Sequence, residues 1–377
     1  MKALFIIHCQ NPIYGASRSV GNLIRNLDAD VDLIFPFKMK KDGITQEQIE
    51  AFYGPRVGKI WYLPQPARLS LMDFRFPLLH HIKSFVKEGI YFFARPVYRG
   101  IYRNGGYDFI HLNSATLYPM LNRRQPMFIH IRESVRKRLF FWDRGFFRRL
   151  TQAHGIVYIS DEVRDTCPQR ETPSIVLQNP FDQTHVGEID AGAAQKRFGL
   201  SGGETVYAII GNLSPNKGVD FVIRAFRQAR MENAALLVVG ADMHSNTYED
   251  VVKREANGDP RIRFLGEIND IDQVYRVSDY VVRGDNVTGA GRTVSESLYS
   301  GGGVLLMGSR EENLAPLRLP PDMEERVFFY PVRDLAGLIR AFEETQHTRF
   351  RERRYLTNIP EYVERFTAFV TENKADL

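Results

Sequence analysis

The chain alternates short apolar runs with longer amphipathic segments, and this alternation is its strongest structural signal. In the first half the apolar runs that predict strands are Ala3–His8, Val31–Phe35, Phe109–Leu112, Met127–Ile131, Ile156–Ile159 and Ile175–Leu177. In the second half they are Val206–Gly211, Leu236–Gly240, Ile262–Leu265, Tyr280–Arg283, Val304–Met307 and Val327–Tyr330. Because helix-length segments separate many of these Val- and Ile-rich runs, the pattern predicts parallel sheets wound with helices.

The predicted strands fall into two groups, and 377 residues suit two domains better than one. A Pro-containing break at 179–182 precedes a polar stretch. We therefore predict an α/β fold with two Rossmann-like doubly wound domains, the first over residues 1–182 and the second over residues 183–359. A C-terminal helix, residues 360–377, is expected to pack back on the first domain.

Residues 66–104 do not follow the alternation. They mix Phe, Leu, Ile and Tyr with Arg, Lys and His, which predicts one or two amphipathic helices inserted into the first domain. Two interpretations stay open. The apolar face packs on the core, or it faces a membrane or an acceptor.

Composition narrows the class of protein. Hydrophobic residues make up 44% and charged residues 25%, as in globular proteins. The two cysteines, Cys9 and Cys167, are too few for a disulfide framework or a four-ligand zinc site, which favours a reducing compartment. The run after Met1 is a short strand candidate rather than a signal peptide, and no apolar window is long enough to predict a transmembrane helix. These features predict a cytoplasmic protein.

The charge distribution points to an anionic partner. The net charge is +5, and between Arg123 and Arg149 nine Lys or Arg side chains accompany only two acids. Phe140, Phe141 and Trp142 are interleaved with them. The pattern predicts peripheral binding to an anionic membrane surface, at the inner face. The alternative is that the aromatic side chains belong to the core and the basic side chains solvate a helix face. No recognised module supports nucleic-acid binding.

Two segments of the second half carry candidate chemistry. In the first, a strand ends at Gly211, and a polar loop with Lys217 and Gly218 precedes a helix from about Val219. Ligands of open α/β sheets bind at that edge, where a lysine supplies a point charge for a diphosphate. Alternatively, Lys217 is a solvated loop residue.

In the second segment a strand leads into Gly289-Ala290-Gly291, and a helix starts near Arg292. Glycines let backbone N–H groups approach a phosphate, and the helix N-terminus favours an anion. Arg292 adds a charge-assisted contact, and Glu296 suits ribose hydroxyls. The alternative is a plain glycine turn followed by a surface helix.

The two segments, in order and spacing, resemble the second domain of retaining GT-B glycosyltransferases, in particular glycosyltransferase family 4. The matching residues are Gly211-Asn-Leu-Ser-Pro-Asn-Lys-Gly218, then Thr288-Gly-Ala-Gly-Arg-Thr-Val-Ser-Glu296 and Ser300-Gly-Gly-Gly-Val304. The resemblance covers residues 205–310 well and the rest loosely. It implies two Rossmann-like domains that face each other across a cleft.

The resemblance also implies donor-binding residues. Lys217 is expected to bind the diphosphate, Glu296 the ribose, and the backbone around Gly289 the sugar or phosphate. The full donor set is Gly15, Asn212, Lys217, Thr288, Gly289, Ala290, Gly291, Arg292, Thr293 and Glu296. Asn212 stands where the family has Arg, and Thr288 stands where it has the Glu that contacts the transferred sugar, so the donor sugar cannot be carried over.

In the first half the resemblance rests on a glycine loop and a histidine. Gly15 follows the first strand and opens a helix, as in the family's loop beside the donor phosphates and the acceptor. His130 resembles the family's histidine near the reaction centre, although a histidine at a strand end is also a common structural residue. Asn113, Arg132 and Glu133 are candidates on the acceptor side.

The chain lacks the motifs of two other classes of nucleotide-binding enzyme. No Gly-x-Gly-x-x-Gly follows the first strand and no Gly-Lys-Ser/Thr loop is present, which argues against a dehydrogenase or a P-loop NTPase. Three Asp-x-Asp patterns, within Asp28–Asp32 and at Asp270–Asp272, precede a strand or start a helix rather than end a strand. We expect no metal site and no cofactor.

Together these features predict a retaining, metal-independent glycosyltransferase with His130, Lys217 and Glu296 at its catalytic centre. The donor is a nucleotide-sugar, with UDP- or GDP-sugars expected. The acceptor is a saccharide or a lipid-linked saccharide in the synthesis of a surface polysaccharide or glycoconjugate. Two alternatives remain: a catalytically inactive sugar-nucleotide-binding subunit, and a nucleotide-sugar epimerase or hydrolase on the same architecture.

Overall fold

The computed structural model describes residues 1–8, 16–37, 45–66, 71, 78–136, 145–169, 171–242, 247–285, 291–317, 319–348, 350 and 353–374. The chain divides into two compact units, unit 1 from Met1–Pro180 with Asn358–Leu377 and unit 2 from Phe181–Thr357. The predicted division, after residue 182, lies two residues beyond this one, and the last helix belongs to unit 1.

Unit 1 is a seven-stranded parallel sheet with the strand order β3-β2-β1-β4-β5-β6-β7. Its strands are β1 Lys2–Ile6, β2 Asp30–Pro36, β3 Val57–Leu63, β4 Phe109–Leu112, β5 Met127–Ile131, β6 Gly155–Tyr158 and β7 Ser174–Val176. Its helices before residue 180 are α1 Ala16–Asn26, α2 Gln46–Tyr53, α3 Leu78–Gly105, α4 Phe146–Leu150 and α5 Asp161–Thr166.

One strand of this sheet was not predicted. β3 lies at the edge of the sheet, and its side chains are mostly half-buried, with Gly58 and Lys59 exposed. The exposed Gly58 and Lys59 come before the apolar run Ile60–Leu63, and that run was a usable strand signal that the prediction overlooked. The inner strands β4, β5 and β6 are buried along their whole length.

Most of the segment that did not fit the alternation forms helix α3. It is one continuous helix of 28 residues that contains Pro96. Tyr91, Tyr98 and Tyr102 are buried in the unit 1 core. Other large apolar side chains of the same helix are exposed, with Phe93 82% accessible. Packing on the core therefore holds for the tyrosine face, and a membrane or an acceptor at the exposed face stays a prediction.

Unit 2 is a six-stranded parallel sheet with the order β10-β9-β8-β11-β12-β13. Its strands are β8 Thr205–Ile210, β9 Ala234–Val239, β10 Ile262–Gly266, β11 Tyr280–Val282, β12 Gly303–Met307 and β13 Val327–Tyr330. Its helices are α6 Ala191–Arg197, α7 Val219–Gln228, α8 Thr247–Ala256, α9 Ile271–Val277, α10 Arg292–Tyr299, α11 Arg310–Leu317, α12 Pro321–Glu324 and α13 Leu335–Thr345. All six strands had been predicted.

The strand order of unit 2 fixes where a ligand is expected. From β8 the chain continues outward to β9 and β10, then returns to add β11 on the other side of β8. The carboxyl ends of β8 and β11 therefore flank a topological switch point, the usual binding crevice of an open α/β sheet.

The last helix, α14 Ile359–Asn373, packs on the unit 1 sheet. The ring of Phe366 lies 5.9 Å from that of Phe109, and Phe369 lies 5.9 Å from Phe128. Among all helices described above, none is long and apolar enough to cross a membrane.

Candidate functional site

The crevice of unit 2 is framed by glycines that let three strand ends approach closely. Gly218 follows Lys217 in a left-handed conformation with φ +58°, and a Cβ there would lie 1.9 Å from the carbonyl oxygen of Gly284. A Cβ on Gly240 would lie equally close to the carbonyl oxygen of Gly211. Because only glycine fits these contacts, the backbones after β8, β9 and β11 pack directly on one another.

A cluster of charged side chains lies in this frame. The Nζ of Lys217 donates to Oδ1 of Asp285 at 2.9 Å, and Nε of Arg283 donates to Oδ2 of the same carboxylate. The Nη1 of Arg283 donates to the hydroxyl of Thr293 at 3.0 Å. We call these four residues the paired cluster. It brings the end of β11, the β8–α7 turn and the first turn of α10 together.

The paired cluster holds two cations on one carboxylate. Burial would raise the pKa of Asp285, but the charge of Arg283 and the hydrogen bonds from Arg283 and Lys217 outweigh it and lower that pKa. Asp285 is therefore ionised at neutral pH, and the group keeps one net positive charge. A small pocket between the ends of β8 and β11 is lined by Asn212, Lys217, Arg283 and Asp285, among others.

The start of α10 lies against this cluster. Gly291 is the N-cap of α10, and a Cβ on it would lie 2.1 Å from Nη1 of Arg283. A cation at a helix N-terminus is electrostatically unfavourable, because that end of the helix carries a partial positive charge. The arrangement gains stability when an anion lies between them.

Glu296, one turn into α10, is buried and held from two sides. Its Oε1 accepts from Nε of Arg292 at 2.7 Å, and its Oε2 accepts from the hydroxyl of Tyr275 at 2.7 Å. The guanidinium of Arg292 also lies over the ring of Phe181, 5.2 Å from its centroid. Arg292, predicted to contact phosphate, is thus seen bound to the carboxylate that the resemblance assigns to ribose.

Not every predicted donor residue can be placed. Gly15, Thr288, Gly289 and Ala290 lie outside the described residues. Asn212 is exposed at the end of β8. The structure brings the other predicted donor residues, Lys217, Gly291, Arg292, Thr293 and Glu296, to the turns and the helix that follow β8 and β11.

Sequence reasoning missed three residues of this site: Arg283, Asp285 and Tyr275. Arg283 is the last residue of a predicted strand and Asp285 lies two residues beyond it. This was a usable signal, because polar residues at the carboxyl end of a parallel strand face the crevice. Tyr275 lies on α9, and nothing in the spacing of the sequence connects it to Glu296.

In unit 1 the predicted residues form a separate network at the end of β5. Arg132 donates through Nε to Oδ1 of Asn113 at 2.9 Å and through Nη1 to Oδ1 of Asn179 at 2.7 Å. Its Nη2 lies 3.0 Å from Nδ1 of His130. Because a guanidinium only donates, that Nδ1 is the acceptor and the proton of the imidazole is on Nε2.

His130 is fully buried within β5. Burial, with the charge of Arg132 and the neighbouring His111, holds its pKa well below the usual value, so the ring is neutral at pH 7. Within the described part of the chain, its Nε2 and the Nδ2 of Asn113 have no hydrogen-bond partner. These are two buried donors, and both belong to residues that contact the guanidinium of Arg132.

The carboxylate of Glu133, an acceptor-side candidate, accepts hydrogen bonds from the turn that follows β4. It accepts from the hydroxyl of Ser114 at 2.6 Å and from the amide of Ala115 at 3.2 Å. These contacts hold the start of the 3-10 helix Ala115–Met120. Glu133 thereby fixes the turn after β4 that carries Asn113.

Acidic side chains at the metal candidates have other partners. Oδ2 of Asp270 lies 3.6 Å from Nη1 of Arg197, and Oδ2 of Asp272 lies 3.0 Å from Nε2 of His185. Over the described ranges no three His, Cys, Asp or Glu side chains are grouped so as to hold a metal ion.

Solved structures similar to this chain share its fold over its whole length. HepE from Anabaena, in complex with UDP, has a TM-score of 0.69 and 16% identity, with 99% of this chain and 100% of that chain covered. Sucrose-phosphate synthase from Thermosynechococcus elongatus has a TM-score of 0.67 and 15% identity, with 98% and 96% covered. WaaG, described as a glycosyltransferase involved in lipopolysaccharide biosynthesis, has a TM-score of 0.60 and 10% identity, with 100% and 95% covered. The fold is GT-B, with two parallel-sheet Rossmann-like units, as predicted.

Sequence comparison adds a match to part of unit 2. Residues 191–308 match the family model described as "Glycosyl transferases group 1". This segment includes Lys217, Arg283 and Glu296. No curated protein sequence matches the chain.

Proposed function

We propose that the protein is a glycosyltransferase that moves a sugar from a nucleotide-sugar donor onto a saccharide or lipid-linked saccharide acceptor. One observation carries the proposal: the paired cluster puts two cations on a single carboxylate at the switch point of unit 2. The match of residues 191–308 to group 1 glycosyl transferases supports it, as does the UDP bound to HepE, which has the same fold.

In the proposed reaction the nucleoside diphosphate leaves with increasing negative charge. Lys217 and Arg283 stabilise that charge, and their positions are set in advance by Asp285 and Thr293. Such preorganised electrostatic stabilisation requires no reorganisation at the moment of reaction. Arg283 also supplies a cation near the position where the family pattern has one and this chain has Asn212.

Glu296 is the residue we propose for the ribose hydroxyls, because a buried carboxylate is a strong acceptor. Arg292 and Tyr275 fix its orientation. In unit 1, His130 is proposed to act as a neutral hydrogen-bond donor through Nε2. Its lowered pKa keeps the ring uncharged, so it does not act as an imidazolium acid. Arg132 sets that tautomer.

Several finer features remain part of the proposal. We propose retention of configuration, the family 4 relationship and transfer without a metal, on the resemblance of the motifs around Lys217 and Glu296. Transfer of a hexose and a role in surface polysaccharide or glycoconjugate synthesis follow the same resemblance, and WaaG offers a parallel for the latter. We further propose that the protein acts in the cytoplasm, bound peripherally to the membrane.

The test is an acceptor-dependent transfer assay. UDP-, GDP- and dTDP-sugars are first screened by thermal shift, because a ligand that binds only the folded state raises the melting temperature. Donors that bind are then incubated with membrane-derived lipid-linked acceptors, with and without EDTA. We expect release of nucleoside diphosphate that requires acceptor and survives EDTA.

Each other outcome selects an alternative. Release or rearrangement of the donor without acceptor indicates a hydrolase or an epimerase. Donor binding without any turnover indicates an inactive binding subunit. This alternative is considered because Asn212 and Thr288 differ from the residues that the family pattern has at these positions. Loss of transfer in EDTA, restored by Mn²⁺ or Mg²⁺, contradicts the metal-independent mechanism.

A further inference from the structure

Unit 1 contains a large cavity that the proposed transfer reaction does not use. It has a volume of about 660 Å³ and lies between the second half of α3 and the turns that precede β5 and β6. His130 and Arg132 lie at the opposite, carboxyl end of β5. The arginines that line the cavity are Arg95, Arg99, Arg103, Arg123, Arg124 and Arg149, and no Asp or Glu is among its described lining residues. We call it the arginine cavity.

The arginines come from different elements and line the same cavity. Arg95, Arg99 and Arg103 are spaced by four residues, so they form one row along α3. Arg149 comes from α4 and donates through Nη2 to the carbonyl oxygen of Pro119 at 3.0 Å. Burial raises the pKa of Tyr91, the charges of Arg95, Arg149 and Arg99 lower it, and the charge of the nearby Glu88 raises it. Like charges gathered in this way repel, so the site favours an anion with several oxygens.

One residue in the wall of the arginine cavity has a buried hydroxyl without a partner in the part of the chain described. Tyr102 lines the cavity, is 8% exposed, and its hydroxyl has no hydrogen-bond partner within the described residues. Burial raises its pKa well above the usual value, so the hydroxyl keeps its proton and donates. By contrast, the neighbouring Tyr98 hydroxyl already donates to the carbonyl oxygen of Pro64 at 3.1 Å. Guanidinium groups with a hydroxyl donor match the oxygens of a phosphate.

The exposed side of α3 adds a second, independent feature. Of the twelve exposed large hydrophobic side chains in the described residues, seven lie on this helix: Ile82, Phe85, Val86, Ile90, Phe92, Phe93 and Val97. Their helical spacing puts them on one broad face, opposite the buried tyrosines and beside the arginine row. We call this the apolar face. An exposed apolar face rimmed by cations is the pattern of a helix that lies in a membrane interface.

We propose that the arginine cavity binds the phosphate headgroup of an anionic lipid while the apolar face of α3 lies in the boundary between headgroups and acyl chains. The inference deepens the peripheral membrane location of the proposed function. It does not need sugar transfer, because the arginine cavity and the residues proposed for transfer are different. A lipid fits better than a soluble phosphate, since only a lipid also covers the apolar face.

The experiment is flotation with vesicles of phosphatidylcholine alone and of phosphatidylcholine mixed with phosphatidylglycerol. We expect binding to the mixed vesicles only. The cavity variant Arg95→Gln/Arg99→Gln/Arg103→Gln should bind them about a hundredfold more weakly, since each arginine near an anionic surface contributes about 1 kcal/mol.

A matched control removes three arginines from unit 2, in the variant Arg254→Gln/Arg310→Gln/Arg340→Gln. The total charge of both variants is the same, so the control should bind the mixed vesicles like the unchanged protein. Thermal unfolding and nucleoside diphosphate binding, both measured for each variant, report on folding and on the donor site. Loss of vesicle binding with intact nucleotide binding therefore separates this inference from the proposed function.

The apolar face and the hydroxyl are tested by two further variants. Phe93→Ser/Val97→Ser should lower affinity for the mixed vesicles at least tenfold, and Tyr102→Phe should lower it severalfold. Both variants retain every arginine, so their losses do not come from charge.

Four results overturn the proposal. Equal losses in the cavity variant and the unit 2 control show that only net charge matters. Equal binding to neutral vesicles shows that phosphate recognition is absent. Binding of soluble glycerol 1-phosphate that depends on the three arginines, without vesicle binding, assigns the site to a free phosphate ester. Self-association through the apolar face without vesicle binding, seen by light scattering, assigns the face to a second copy of the chain.

Discussion

The paired cluster and the arginine cavity both gather cations, but they are built in opposite ways. In the paired cluster, Lys217 and Arg283 share the buried carboxylate of Asp285. In the arginine cavity, no acid is present among the described lining residues. The first arrangement fixes the direction of a few donors, whereas the second accumulates charge. The difference suits a specific diphosphate in one case and a surface of many phosphates in the other.

The largest effect is expected where the frame of the paired cluster is broken. Gly218→Ala should destabilise unit 2 by about 3 kcal/mol or more, because a left-handed conformation costs a non-glycine residue about 1–2 kcal/mol and the new Cβ would also meet the carbonyl oxygen of Gly284. Urea unfolding of the two proteins measures the difference.

The matched control for this change is Gly258→Ala. Gly258 has φ +69°, close to the +58° of Gly218, but a Cβ there would meet nothing within 4 Å. Gly258→Ala should lower the free energy of unfolding by only about 1–2 kcal/mol. Equal losses at the two glycines would show that the close approach of the strand ends does not constrain the site.

Added salt should weaken vesicle binding about ten times more than it weakens nucleoside diphosphate binding. Raising NaCl from about 0.1 M to about 1 M shortens the Debye length from about 10 Å to about 3 Å. Exposed arginines such as Arg99 and Arg103 are strongly screened, so affinity for anionic vesicles should fall about tenfold more than affinity for a nucleoside diphosphate. A parallel decline of both affinities would remove the distinction drawn between the two sites.

Acid should act on the paired cluster and leave the charge of the arginine cavity unchanged. The pKa of Asp285 is lowered in the folded state, so its contribution to stability is complete above the unfolded pKa of about 3.9 and is lost as pH falls through the lower folded value. Asp285→Asn should therefore be less stable at neutral pH but lose less stability on acidification.

Unfolding free energies of both proteins from neutral pH to about pH 3 test this, and the other carboxylates cancel in the difference. A constant difference across the whole range would show that Asp285 is not held ionised by Lys217 and Arg283. This is the smallest of the effects and the one that most directly probes the shared carboxylate.

Much of the fold could be predicted because both sheets are parallel and covered on both faces. Continuous apolar runs identified every inner strand, and the pattern placed the start of α10 at Arg292. The edge strand β3 was overlooked although it contains the apolar run Ile60–Leu63, which follows the polar and exposed Gly58 and Lys59.

The candidate site was predictable where the chemistry lies in local motifs. Lys217 and Glu296 were found from their spacing after strands. Arg283 and Asp285 had a local signal at the end of a strand and were overlooked. Tyr275 had none, because its contact with Glu296 arises only when α9 and α10 pack together. The division of α3 into a buried tyrosine face and an exposed apolar face likewise depends on packing, which the composition of residues 66–104 does not contain.

The central claim is that the paired cluster binds the diphosphate of the donor. It is tested most directly by calorimetric titration of the selected nucleoside diphosphate into the unchanged protein, Lys217→Ala and Arg283→Gln. A charge-assisted hydrogen bond contributes about 1.5–3 kcal/mol, so each variant should bind about ten- to a hundredfold more weakly. Lys253→Ala, which removes an exposed lysine paired with Glu249 in the same unit, should bind normally. Unchanged affinity in both Lys217→Ala and Arg283→Gln would contradict the account.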